Sequence, residues 1–351
     1  MSRRGRDTPS QRVRMADVAE AAGVSRATVS RVLTRDPAVV EATAAAVREV
    51  IERLGYRPNR AAQALMGASR TLGVIFGEPP GRASALLLRG INEAATSAGY
   101  TLAVAIATDS DGEDLRRCLN TMVEQSAAAV MVLPATSLNA EVLAAADVPF
   151  PIISTTDLGP GSPCSVAALD ELGAVDVVMG HLLEIGRSRI LHIGARHETL
   201  VSRFRWDGWR ARVDEADLFE TADEWTARAG YEALHRAVAR GARPDGVFAA
   251  TDEMALGAMQ AASELGLRIP EDLAVAGFGG LSITEFFGPG LTTVATSLHE
   301  RGALAVQECV RRLAEPDRPP SYRLVPGELV VRRSTVAANG PHAVLGGALQ
   351  S

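Results

Sequence analysis

The chain has 351 residues, 36 of them basic and 42 acidic, for a formal net charge of −6. No apolar run reaches the roughly 20 residues of a bilayer span, and Cys118, Cys164 and Cys309 are too isolated to build a disulfide framework or a metal site. With no apolar signal-peptide core at the N-terminus, a cytoplasmic protein without membrane contact is expected.

The charge is unevenly spread. The first 70 residues hold 13 arginines against 7 acids, and the rest holds 23 against 35, so a basic head precedes an acidic body. That asymmetry is expected when one end meets phosphates. The run Arg3, Arg4, Arg6 and Arg12 reads as a non-specific, disordered contact tail.

Within the head, Met15, Val18, Ala19 and Ala22 recur at helical spacing. Gly23 then ends a first helix, where a left-handed residue is needed. Val24 plugs the corner, and Ser25 stands as N-cap of a second helix. Val29 and Val32 turn that helix toward the core. Arg26, Ala27, Ser30 and Arg31 are left for its outer or leading side. An arginine near the start of such a helix can take guanine O6 and N7 together in the major groove. The alternative is a small three-helix domain whose arginines are merely solvated. A third helix is expected over about Glu41 to Leu54, followed by Gly55-Tyr-Arg-Pro-Asn59 and an alanine-rich stretch to Met66.

From Arg70 onward, apolar strand-like runs alternate with amphipathic helical ones. Strands are expected at Leu72–Phe76, Thr101–Ala107, Ala128–Leu133, Pro151–Ser154, Ile190–Gly194, Gly246–Ala250 and Leu273–Gly277. Helices are expected at Ala85–Ala98, Glu113–Gln125, Leu138–Ala146, Leu172–Leu183, Asp207–Asp214, Trp225–Arg240 and Met254–Glu264. This rhythm predicts an α/β body of parallel sheets covered by helices. Roughly 270 residues suit two such lobes, and a small molecule would sit beyond the carboxyl ends of the strands. Asp109-Ser-Asp111 and Asp223-Glu224 read as solvated loops. His181, His192, His197 and His235 lack metal-ligand spacing, and no nucleophile elbow is present. Neither a cofactor, a metal nor an enzymatic activity is expected.

Four motifs in order carry a resemblance: Asp17-Val-Ala-Glu-Ala-Ala-Gly-Val-Ser25 with Ala27-Thr-Val-Ser-Arg-Val-Leu33; Leu54-Gly-Tyr-Arg-Pro-Asn59; Phe248-Ala-Ala-Thr-Asp-Glu-Met-Ala-Leu-Gly257 with Leu265-Gly-Leu-Arg-Ile-Pro-Glu-Asp-Leu273; and Leu291-Thr-Thr-Val294. The chain resembles the LacI/GalR family of bacterial transcription regulators over nearly its full length. The resemblance implies an α/β protein with an all-α helix-turn-helix head at 1–57, a hinge helix at 58–69 and a two-lobed periplasmic-binding-protein-like body at 70–337, while the small and polar composition from Ala338 reads as a disordered tail at 338–351. The N-lobe is expected at about 70–164 and 297–321 and the C-lobe at about 165–296 and 322–337, with crossovers near Ser165, Thr296 and Tyr322.

The resemblance also implies a homodimeric regulator, most simply a repressor, on a palindromic double-stranded operator with a central CpG step. Ser25, Arg26, Ala27, Thr28 and Arg31 would meet DNA in the major groove. Asn59, Ala62 and Leu65 would act in the hinge helix, with Leu65 as an apolar wedge in the minor groove. Without the upstream motif, Leu65 would read as ordinary packing. Val40 stands where the family usually has a serine cap, Ala44 where a phosphate contact is common, and Arg14 where a threonine cap is usual.

For the effector, the resemblance points to Arg205, Trp225, Asp252, Thr251, Ser154 and Asp170. Ser154, Thr251 and Gly279-Gly280 replace usual sugar contacts, as do Ala83 and Ser84 after the first strand. Losing acids beside Arg205 favours an anionic effector over a neutral sugar. The alternatives are that Arg205 pairs with Asp170 or Asp252, that Glu78 neutralises it, or that the cleft is vestigial and the regulator works without an effector.

Overall fold

The computed structural model describes residues 15–33, 39–54, 69–77, 82–107, 112–133, 136–195, 199–213, 219–222 and 224–337. The arginine-rich tail, the segment up to residue 68 expected to form a hinge, the Glu78 loop and the terminal segment from 338 lie outside these residues. Residues 1–69 and 70–351 form two compact units.

The first unit holds α1 (Met15–Ala21), α2 (Arg26–Leu33) and α3 (Glu41–Leu54). Val18, Ala19, Val29, Val32, Ala44, Val47 and Val50 form its core. All seven are alanine or valine, so the helices cross closely. Gly23 adopts φ 64°, and the Val24 N–H then donates to the Ala19 carbonyl at 3.0 Å, closing α1. Val40 caps α3 with its backbone alone, its carbonyl accepting from the Thr43 and Ala44 N–H groups. Ala44 is buried in the core, so the position expected to face phosphate does not do so.

The second unit holds two six-stranded sheets, each flanked by helices. In chain order the elements are β1 (Thr71–Phe76), α4 (Arg82–Ser97), β2 (Thr101–Ile106), α5 (Glu113–Glu124), β3 (Ala129–Leu133), α6 (Ser137–Ala144), β4 (Ile152–Ser154) and β5 (Ser165–Leu169). Then come α7 (Glu171–Glu184), β6 (Ile190–Ala195), α8 (Leu200–Arg210), β7 (Phe219–Ala222), α9 (Ala227–Ala239), β8 (Gly246–Ala249), α10 (Asp252–Glu264) and β9 (Ala274–Gly279). The last are β10 (Thr292–Ala295), α11 (Leu298–Ala314), β11 (Tyr322–Val325) and β12 (Glu328–Val330). The sheets run β11-β5-β4-β3-β1-β2 and β12-β10-β9-β8-β6-β7. Every pairing is parallel except β10 with β12. Central strands such as β3 and β8 are apolar throughout because helices cover both faces.

The lobe boundaries differ from those expected. β5 is buried along its whole length because β4 and β11 flank it, so residues 165–169 and 322–325 belong to the first sheet. The chain leaves the first lobe only at Asp170, whose carboxylate caps α7, and again at Pro326-Gly327. The third passage runs through Thr296 and Ser297 between β10 and α11. The helix expected at Asp207–Asp214 instead spans Leu200–Arg210. Thr199 caps it through the Ser202 N–H, and Trp209 anchors it, fully buried, with its indole N–H on the Ile190 carbonyl.

Each lobe contains one helix pair in near backbone contact. In the first, α4 meets α11 at Gly90 and Gly302. A Cβ on Gly302 would lie 2.6 Å from the Leu87 carbonyl oxygen, and one on Gly90 would strike the His299 carbonyl. In the second, α9 meets α10 at Gly230 and Gly257, each seated on a carbonyl of the other helix, Met254 and Ala227. Among the described residues no helix is long and apolar enough to cross a membrane.

Candidate functional site

In the head, α2 is fixed from below and capped at its start. Val29 and Val32 are buried. The Thr28 N–H donates to Ser25 Oγ at 3.1 Å, and the two hydroxyls lie 2.9 Å apart. Arg26 and Arg31 are exposed, while Thr28 is half-buried. The helix thus offers cationic side chains from a rigid base, as major-groove reading requires. The Ala27 side chain, Asn59, Ala62 and Leu65 lie outside the described residues.

In the body, Arg205 projects from α8. Its Nε donates to Glu171 Oε2 at 3.1 Å and one terminal nitrogen reaches Oε1 at 3.4 Å. The other donates to the Ala250 carbonyl at 2.6 Å. Its guanidinium carbon lies 4.1 Å from the Phe278 ring centroid and 5.8 Å from that of Trp225. Arg205 and Trp225 are therefore brought together at the carboxyl ends of β8 and β9. The carboxylate that neutralises Arg205 is Glu171, not Asp170 or Asp252.

Four of the expected effector contacts serve the fold. Asp170 caps α7 through the Gly173 N–H at 2.9 Å. Thr251 caps α10 through the Met254 N–H at 3.2 Å. The Ser154 hydroxyl, fully buried, donates to the Thr156 carbonyl at 2.6 Å. Asp252, also fully buried, accepts from the Thr293 hydroxyl at 2.5 Å and the Leu281 N–H at 2.7 Å, tying α10, β10 and the loop after β9 together. Burial pushes its pKa up, and the Thr293 and Leu281 hydrogen bonds pull against that. Ser154 and Asp252 thus hold the ends of β4 and α10 in place.

Two site residues escaped sequence reading. Glu171 directly follows the Asp170 cap and is buried. Arg301 lies in the first turn of α11, 8 % exposed, with one terminal nitrogen donating to the Thr155 carbonyl at 3.0 Å. Its signal was present: Leu298, Arg301, Ala305 and Cys309 recur at helical spacing, placing an arginine on an apolar stripe. The lobes also touch at their rim, where Thr136 and Thr199 form an antiparallel bridge and Arg203 donates to the Ser137 hydroxyl at 3.1 Å.

A helix-turn-helix head followed by two parallel α/β lobes defines a transcription regulator with a periplasmic-binding-protein-like body. Residues 14–59 match the bacterial regulatory proteins of the lacI family, and residues 179–335 match the periplasmic binding protein-like domain. The ribose operon repressor of Escherichia coli (strain K12) is 29 % identical over 314 residues, 86 % of this chain and 93 % of that protein. Catabolite control protein A of Priestia megaterium is 28 % identical over 327 residues, covering 91 % and 98 %. The structure of the Lac repressor dimer bound to operator and the anti-inducer ONPF superposes with a TM-score of 0.81 at 26 % identity, covering 93 % of this chain and all of that one. The chain thus joins a lacI-family DNA-binding head to a periplasmic-binding-protein-like body, as its relatives do.

Proposed function

We propose that the protein is a cytoplasmic, homodimeric repressor that binds a palindromic operator and is controlled by a small molecule between its lobes. The observation that carries this reading is the capped α2 helix with exposed Arg26 and Arg31 on a valine-alanine core. Ser25, Arg26, Ala27, Thr28 and Arg31 would meet each half-site in the major groove. Asn59, Ala62 and Leu65 would serve the hinge at a central CpG step, where a wedge trades unstacking for contacts the kink permits. Relatives named as repressors support this direction of control, and no catalytic role is assigned.

Dimerisation is supported by an apolar surface on the second lobe. Phe286 and Phe287 are 81 % and 50 % exposed beside Ile283. Next to them a cavity of about 910 Å³ is lined by Tyr231, Leu256, Met259 and Phe287, among others. A second copy would cover this surface, and the Lac repressor neighbour is itself described as a dimer.

The effector would contact Arg205 and Trp225. A second reading, a regulator with a vestigial cleft, is favoured by the internal partners Arg205 already has in Glu171 and Ala250. Selection of bound sequences from random DNA, followed by release of the selected DNA by a metabolite panel, tests both. Two-fold symmetric sites with a central CpG step are expected. Asymmetric sites would overturn the docking, and operator release by no metabolite would favour the vestigial cleft. Leu65→Ala is expected to weaken operator binding while body stability is unchanged; equal operator affinity would return Leu65 to simple packing.

A further inference from the structure

Among the described residues, charge at the lobe junction does not cancel. Arg205 and Glu171 belong to the second lobe and neutralise each other, their side chains 11 % and 7 % exposed. Arg301 comes from the first lobe, within electrostatic reach of both. Among the described residues it adds a second guanidinium without a second carboxylate. Of its five N–H donors, the structure commits one terminal nitrogen to Thr155. Its Nε is buried with no hydrogen-bond partner among the described residues. An unmatched buried donor and an uncompensated buried cation are both costly and need an acceptor carrying negative charge. The Thr155 contact lies just beyond the carboxyl end of β4, on the side of the first sheet where a parallel α/β fold receives ligands.

We propose that Arg301 is an effector-binding residue that takes a compact anionic group, a carboxylate or a phosphate, from the first-lobe side of the cleft. The inference rests on the effector reading of the cleft and names the class of ligand. A guanidinium matches two oxygens of such a group at once. The anion would supply the missing acceptor for Nε and balance the net positive charge of the Arg205, Glu171 and Arg301 cluster. Because Arg301 and Arg205 sit on different lobes, a ligand contacting both would favour the lobe arrangement that brings them together.

The test is calorimetric titration of the full-length protein with inorganic phosphate, succinate, ribose 5-phosphate and ribose, on wild type, Arg301→Lys, Arg301→Met and the surface control Arg318→Met. The expected result is binding of at least one anion to wild type and Arg318→Met, tenfold or more weaker in Arg301→Met. Arg301→Lys, which keeps the charge and fold but loses the planar fork, should fall between. Comparison of phosphate with succinate tells the two anion types apart. Anion binding unchanged in Arg301→Met, or no anion binding to wild type, overturns the proposal. Ribose binding that ignores Arg301 would leave the effector reading standing without it. No binding of any of the four compounds would remove the support for both.

Discussion

Replacing Arg205 with methionine removes the cation from a buried pair while keeping most of the side-chain length. Glu171 would remain as a buried carboxylate, and the Ala250 carbonyl would lose its donor at 2.6 Å. Breaking such a pair from one side costs about 3–5 kcal/mol. Both side chains are nearly excluded from water, so solvent screening takes little away. The nearby Arg301 charge compensates Glu171 in part, which places the expected loss near the lower end, about 3 kcal/mol. Arg205→Met combined with Glu171→Leu removes both charges and should cost far less than the sum, a coupling of about 2 kcal/mol. All three tryptophans, Trp206, Trp209 and Trp225, lie in the second lobe. Tryptophan emission during urea unfolding therefore reports the lobe in question. An Arg205→Met loss below about 1 kcal/mol, or additive single and double variants, would refute the claim that this pair is electrostatically coupled and buried.

Arg31→Ala should weaken binding to the selected operator by about 1–3 kcal/mol for each guanine contacted; equal affinity in a fluorescence-anisotropy titration would remove Arg31 from base reading. Gly257→Ala should destabilise the second lobe by about 1–3 kcal/mol, because its Cβ would press on the Ala227 carbonyl and the Tyr231 N–H. An unchanged tryptophan-monitored unfolding midpoint would contradict the close crossing. Asp272, hydrogen-bonded and ion-paired to Arg268, is pulled down to a pKa of about 2. Its folded value lies below the unfolded one, so its stabilisation is present above the ordinary aspartate range and is lost as pH falls toward about 2. A carboxyl-carbon NMR titration should show this low midpoint in wild type and a rise in Arg268→Ala.

The head was legible because its signals are local. Gly23, the Ser25 cap and the Val29–Val32 spacing lie within ten residues and need no distant partner to be read. The body's alternation was legible for the same reason, and its strands and helices mostly fall where the apolar runs end. The failures came where pairing over distance decides. β5 and β11 were read as passages between lobes because their membership of the first sheet depends on each other, 157 residues apart at Ser165 and Tyr322. Glu171 and Arg205 meet across 34 residues, and Arg301 reaches Thr155 across 146. Thr251 caps α10 and Asp252 clamps Thr293, structural roles that become visible only when α10 and β10 are in place.

The glycine crossings bear on how a signal would travel through the body. Where two helices touch carbonyl to Cα, neither can slide without driving backbone into backbone, since no flexible side chain lies between them to repack. Gly90 with Gly302 locks α4 to α11, and Gly230 with Gly257 locks α9 to α10. Shear inside either lobe is thereby blocked, and hinge motion is left. The torsional change then falls on Asp170, Thr296-Ser297 and Pro326-Gly327, where the chain passes between sheets. Ser297 already holds a left-handed φ of 44°. A lobe that cannot deform acts as a lever. A small rotation set by a contact near the pivots is delivered undiminished in angle to the lobe's far surface, and the displacement there grows with distance from the axis.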